Sequence, residues 1–225
     1  MSRLSRFSAA IATFFSGWGA SAAGGLPAGF VRLADIAPSV KQDMRYAGSD
    51  NFTGRPVPGY GAAQCWLRRE AAEALARVQA AAAKDGLSLV VYDCYRPQRA
   101  TDAFVAWAGD PKDQIAKAAY YPEVEKSRLF AQGYIGAKSA HALGITVDLA
   151  LQRADGAPLD FGTPFDLFSP RSATHAAGTP PAAARNRSEL VKRMAAAGFE
   201  NYQNEWWHFT LKGVANTAAH DIEIR

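Results

Sequence analysis

Between positions 139 and 151 the chain turns sharply and then commits to a strand, which leaves little freedom in what it can fold into. The segment reads Ser139-Ala140-His141-Ala142-Leu143-Gly144-Ile145-Thr146-Val147-Asp148-Leu149-Ala150-Leu151. Gly144 breaks the turn that carries His141, and the residues after it alternate with period two, as a half-buried strand does. Ile145, Val147, Leu149 and Leu151 would face the core, and Asp148 the other side. A turn-borne imidazole and a strand-borne carboxylate can then converge on one cation. Near the far end, Glu205-Trp206-Trp207-His208 adds a second imidazole and a spare carboxylate. With His141, Asp148 and His208 as ligands and Glu205 as base, this is the inventory of a catalytic zinc site: three protein ligands, an open position for water and a base beside it.

The order S-x-H-x-x-G-x-x-x-D, followed later by E-x-W-H, resembles that of the D-alanyl-D-alanine dipeptidases, zinc peptidases related to the D,D-carboxypeptidases and to the Hedgehog fold. The resemblance runs from about residue 34 to the C-terminus. It implies a single α+β domain with an antiparallel-rich sheet, helices packed around it, and one zinc ion per chain. It also implies a small D-amino-acid dipeptide as substrate, since nothing in the spacing itself distinguishes D from L. Further motifs extend it. D-x-R-Y followed by D-N-F-T-G (43–46 and 50–54) resembles the family's N-terminal loop, in which the tyrosine numbered Tyr46 here lies at the substrate cleft. D-x-Y-R-P (93–97) resembles the motif whose arginine, here Arg96, stabilises the oxyanion. G-T-P-F-D (162–166) resembles the loop whose last aspartate, here Asp166, meets the substrate ammonium. Ser139 matches a serine near the bound dipeptide. Thr146 departs from the alanine expected at its position.

The residues argue for part of this independently. Residues 87–95 read as a core strand that Pro97 ends, and a guanidinium at such a strand end is held rigidly enough to meet a developing oxyanion. Asp93, three residues earlier, is placed to orient Arg96 and is grouped with Tyr46, Ser139 and Asp166 on the substrate side. Residues 67–84 carry one apolar stripe and read as a scaffold helix capped by Gly86. Residues 99–107 read as a short amphipathic helix, 30–36 as an edge strand, and Asn186 with Glu189 as a helix start. Asp160 competes with Asp166, and the motif register favours Asp166. His175, with no partner at ligand spacing, reads as a structural histidine, and His220 is assigned no role. Glu205 and His208 are three apart, which on a flat strand places them on opposite faces. Either a bulge aims Glu205, or it sits on the preceding turn.

At 225 residues, 48% hydrophobic and 20% charged, the chain is long enough for one sizeable core. A net charge of +4 with mixed signs and no basic run interleaved with aromatics argues against a nucleic-acid partner. No apolar run reaches membrane-spanning length, so no stable membrane anchor is expected. Residues 1–22 have the three parts of a signal peptide: Arg3 and Arg6, an apolar stretch, and Ala20-Ser21-Ala22. They predict export to the periplasm and a catalytic domain over 23–225; a frayed, alanine-rich arm on a cytoplasmic protein is the alternative. Cys65 and Cys94 fit either a disulfide or two buried thiols. No HExxH, P-loop or complete dinucleotide fingerprint is present. A D,D-carboxypeptidase acting on peptidoglycan stems and a non-catalytic zinc-binding module are the rival functions.

Overall fold

A computed structural model describes residues 25–215 and 217–225, so the leader expected over 1–22 lies outside the described residues. In chain order the elements are β1 (Phe30–Arg32), α1 (Leu33–Ile36), β2 (Lys41–Gln42), β3 (Trp66–Arg68), α2 (Arg69–Ala83), β4 (Leu87–Asp93), α3 (Gln98–Gly109), α4 (Lys117–Tyr120), β5 (Thr146–Arg153), α5 (Pro181–Ala196), β6 (Phe199–Asn201) and β7 (His208–Leu211). β2, β4, β5, β7 and β6 form one sheet in that order, and β1 pairs with β3 in a small second one. Among the described strands, β2–β4 pairs in parallel and the other strand pairings are antiparallel. The α+β, antiparallel-rich architecture expected from the sequence is therefore present. No described helix is long and apolar enough to cross a membrane.

The centre of the sheet positions the site. β5 lies between β4 and β7, and the register sets Asp148 opposite both Asp93 and His208. The alternation of β5 predicted one wet face, but Thr146 through Gln152 are all buried. Helices α2 and α5 pack against the sheet, and the loops bearing Tyr46 and Asp166 close over the Asp148 side. Period two reports which residues share a face, not whether later segments cover it.

Three local expectations are corrected. The stripe over 67–84 extends the helix too far: Trp66–Arg68 is a strand, because its ladder with β1 prevails over helical propensity. Residues 30–36 divide into a strand and one helical turn rather than forming a single edge strand. α5 begins at Pro181, with its φ pre-set at the first helical position, and Asn186 sits inside it, donating to the Asp160 carbonyl at 2.7 Å. Cys65 and Cys94 form a disulfide, joining residues 29 apart and tying β3 to the end of β4.

Candidate metal centre and active site

His141 sits on a single 3-10 turn, Ala140–Leu143. The Ser139 hydroxyl caps the turn by accepting from the His141 amide at 3.3 Å. Gly144 ends it at φ 72°, and any Cβ there would stand 2.3 Å from the Phe30 ring, so the position is closed to other residues on two counts. The C-terminal tail braces the turn from outside, with the His220 amide donating to the Ala142 carbonyl at 3.1 Å.

Three donor atoms converge where this turn meets the sheet. His208 Nδ1 lies 3.0 Å and His141 Nε2 3.3 Å from Asp148 Oδ1. The two ring nitrogens are 3.3 Å apart, and one ligand atom from each residue lies within 4.8 Å of the others. His141 Nδ1 meets the Cys94 carbonyl at 2.7 Å. A carbonyl only accepts, so the proton sits on Nδ1 and the Nε2 lone pair faces inward. Asp148 Oδ1 is buried and has no hydrogen-bond partner despite its closeness to both imidazoles. Lone pairs gathered on a buried point, with a carboxylate oxygen left unsatisfied, fit a divalent cation of zinc's ligand preference. Burial alone would raise the Asp148 pKa, but the two imidazoles outweigh it and hold Asp148 below the ordinary carboxylate range. Burial disfavours a charged His208, yet Asp148 and Glu205 more than offset this and raise it.

Glu205 occupies the turn before β7, not a bulge within it, and its Oε2 stands 3.7 Å from His208 Nδ1. Burial raises its pKa to about 7, against the pull of His208. Trp206 and Trp207 are both buried, and Trp207 lines the same cavity as Glu205.

Arg96 leaves the end of β4 and is clamped by Asp93, with Nε and Nη2 at 3.0 and 2.8 Å from Asp93 Oδ2. Its Nη2 also lies 3.8 Å from Asp148 Oδ2. Burial works against its charge, but Asp93 prevails and the pKa rises further. Tyr60, which lies outside the motifs of the sequence analysis, donates to the second oxygen of Asp93 at 2.6 Å. Its partner is 33 residues away, so no local pattern signalled the contact.

Asp166 is buried and is the one non-glycine residue at positive φ, 62°, among the described residues. It accepts from the Tyr46 hydroxyl at 2.8 Å. Burial, reinforced by Asp148, pushes the Asp166 pKa well above its ordinary value. Asp160 is exposed and merely accepts from the Gly162 amide at 2.7 Å, so it does not compete for the cavity. His175 is exposed beside the buried Thr174, with no side-chain hydrogen bond among the described residues, so it is not the structural histidine expected from the sequence.

Tyr46, Arg96, Ser139, Asp148, Asp166, Glu205 and His208 line one cavity of about 240 Å³. His141 and Asp93 stand behind that wall. Sequence reasoning missed Phe104, Tyr134, Lys138 and Tyr202, which are among the other lining residues. Tyr134 and Lys138 follow a stretch whose polar, irregular composition carries no period.

A facial donor set of two imidazoles and a carboxylate, with a free carboxylate and a fixed guanidinium on one small cavity, defines the class: a candidate metal-dependent hydrolase centre. Comparison with known proteins narrows it. The D-Ala-D-Ala dipeptidase family model of the M15 peptidases matches residues 27–222. A D-alanyl-D-alanine dipeptidase of Enterococcus faecium is 39% identical over 82% of this chain and 92% of its own length. That of Streptomyces coelicolor is 41% identical, over 81% and 91%. That of Escherichia coli is 37% identical, over 83% and 86%. The chain belongs to the D-Ala-D-Ala dipeptidase family of peptidases.

Proposed function

We propose that this chain is a zinc-dependent dipeptidase that hydrolyses D-Ala-D-Ala to two D-alanines. The reading is carried by one observation: a buried His141–Asp148–His208 donor set shares a cavity of about 240 Å³ with Glu205, Arg96 and Asp166. That volume is below the roughly 300–1,000 Å³ of sites for drug-sized ligands, which suits a free dipeptide better than a polymer stem. A zinc ion held by the three ligands would supply Lewis-acid polarisation of the scissile carbonyl and ease ionisation of the attacking water.

The chain's own groups do the rest. Glu205, whose pKa burial raises to about 7, takes a proton in its ionised form as water oxygen bonds to the carbonyl carbon. It then returns that proton to the amine nitrogen as the C–N bond breaks. Arg96, immobilised by Asp93, donates to the carbonyl oxygen as negative charge develops there, with no reorganisation needed at that moment. Asp166, with Tyr46 on it, is the anion for the substrate's free ammonium, whose arrival favours the ionised carboxylate that burial disfavours. Ser139 lies on the same wall, near the dipeptide.

Export to the periplasm, expected from residues 1–22, belongs to the same proposal. The Cys65–Cys94 disulfide supports it, because such bonds persist in oxidising compartments.

The test is hydrolysis of D-Ala-D-Ala by zinc-loaded protein beside L-Ala-L-Ala and a D-Ala-D-Ala-terminated pentapeptide. Cleavage of the dipeptide alone, abolished in Glu205→Gln with metal retained, is the expected result. Cleavage of the pentapeptide alone would establish a D,D-carboxypeptidase instead. Metal binding without any hydrolysis would leave a zinc-binding module.

A further inference from the structure

The disulfide lies directly behind the centre. Cys94 is the first residue past β4, where the ladder with β5 ends after a register shift between Val91 and Asp93. The segment 94–96 therefore runs beyond the sheet, yet it carries much of the site's alignment. The Cys94 carbonyl meets His141 Nδ1 at 2.7 Å, and the Arg96 amide donates to the His141 carbonyl at 3.3 Å. Asp93, before it, clamps the guanidinium of Arg96. One short stretch thus holds the first imidazole by both ring and backbone, and holds the arginine as well.

One covalent link, the bond to Cys65, secures that stretch to the layer outside. Beside it, the Tyr95 amide donates to the Trp66 carbonyl at 2.9 Å. The Tyr95 hydroxyl donates to the Ile222 carbonyl at 3.2 Å and accepts from the Ile222 amide at 2.9 Å. Cys65 is itself well anchored: its carbonyl accepts from the Leu33 amide at 2.9 Å, and its amide donates to the Gln42 side chain at 2.7 Å. Both cysteines are fully buried.

We infer that the Cys65–Cys94 disulfide is a positioning element of the reaction centre, holding the Cys94 carbonyl on the His141 Nδ1–H and the Asp93–Arg96 pair against the cavity. The carbonyl that orients a ligating histidine sets its tautomer, and losing such a partner costs roughly 10–100-fold in metal affinity or activity. A backbone carbonyl is placed only by whatever holds its chain, and here the disulfide is the one covalent tie, made at Cys94 itself. The consequence for turnover rests on the dipeptidase reading, whereas the consequence for the imidazole does not.

The experiment compares the full chain with its disulfide intact against the Cys65→Ala/Cys94→Ala variant, well below either melting temperature. In metal-free protein the hydrogen-bonded Nδ1 proton of His141 gives a downfield NMR resonance, and it should be lost to solvent exchange in the variant. Zinc affinity, measured by chelator competition, should fall about 10–100-fold, and the absorption bands of the cobalt-substituted protein should change with ligand geometry. For D-Ala-D-Ala, kcat should fall with KM nearly constant. A lowered melting temperature with resonance, affinity and kcat all unchanged would overturn the inference, leaving the bond as a staple of the fold alone. Should the alanine pair fail to fold, wild-type protein with its disulfide reduced and its thiols counted takes its place. If that form also unfolds, the inference is overturned, because the bond then secures the fold and not the centre. If even the intact protein cleaves nothing, the dipeptidase reading fails, and the proton resonance and metal affinity decide this one.

Discussion

The cavity has two halves built on different principles. One is carried by the sheet: Asp148 and His208 are paired across β5 and β7, with His141 on the turn entering β5. The other is carried by loops: Tyr46 and Asp166 are 120 residues apart and meet through one hydrogen bond. Ladder hydrogen bonds and central burial define the first half to within a rotamer. The second is held by side-chain contacts and by a backbone at positive φ. The division suits the proposed chemistry, since metal ligands tolerate little displacement, whereas an ammonium would need only a nearby anion. Arg96 joins the halves, clamped by Asp93 at 2.8 Å and stacked 5.3 Å over the Tyr46 ring.

The contrast can be broken most forcefully in the sheet-borne half. Asp148→Ala should abolish stoichiometric zinc binding and all turnover, as read by metal analysis beside a D-alanine assay. Glu205→Gln should keep the metal and lower kcat by about 10²–10⁴-fold, the usual worth of a general base. If both variants retained activity, the sheet-borne half would not be the reaction centre.

The loop-borne half should respond in KM rather than kcat. Asp166→Asn removes the anion proposed for the ammonium, and a hydrogen bond to a charged group is worth roughly 1.5–3 kcal/mol, so KM should rise about 10–150-fold. Tyr46→Phe should cost about 1 kcal/mol, a several-fold rise in KM. A fall in kcat with constant KM would make these residues part of the chemistry and erase the distinction.

Stability offers a smaller probe at the junction. Tyr60→Phe removes a 2.6 Å donor from buried Asp93, which keeps the Cys94 amide on the same oxygen at 2.9 Å. The expected loss is about 1 kcal/mol in denaturant unfolding.

The smallest effect concerns the tail that braces the His141 turn. Arg99 hydrogen-bonds Asp221 at 2.8 Å and lowers its pKa. A depressed carboxylate contributes stability above its unfolded pKa, about 3.9, and that stability is lost as pH falls through the folded value. Asp221→Asn should therefore lower stability slightly at neutral pH and flatten the acid limb of the stability–pH curve below about pH 4. Both side chains are nearly half exposed, so the amplitude should be slight and reduced further by salt.

The sheet-borne half was the legible one. Gly144 between a polar turn and an alternating run marks β5 and places Asp148 on it, and E-x-W-H supplies the remaining groups within four residues. Each is a local signal, because turn chemistry and strand period are short-range properties. The loop-borne half was reached only through resemblance: nothing near Tyr46 or Asp166 announces that they meet. Tyr60 was missed for the same reason, and Lys138 and Tyr202 because an aperiodic loop carries no code for where it lands.

The sequence by itself pointed to the candidate donor set, the strand that bears it and the arginine at the end of β4, and its resemblance to a family pointed to the α+β class. The first three follow from residue type, backbone restriction and periodicity within a few neighbours. Only the tertiary structure decided that β5 is buried on both faces, that Glu205 approaches from a turn and that Cys65 and Cys94 are joined. It also brought Tyr60 and Tyr46 to their aspartates. Those facts depend on which distant segments pack together, and long-range packing is settled by the whole core at once.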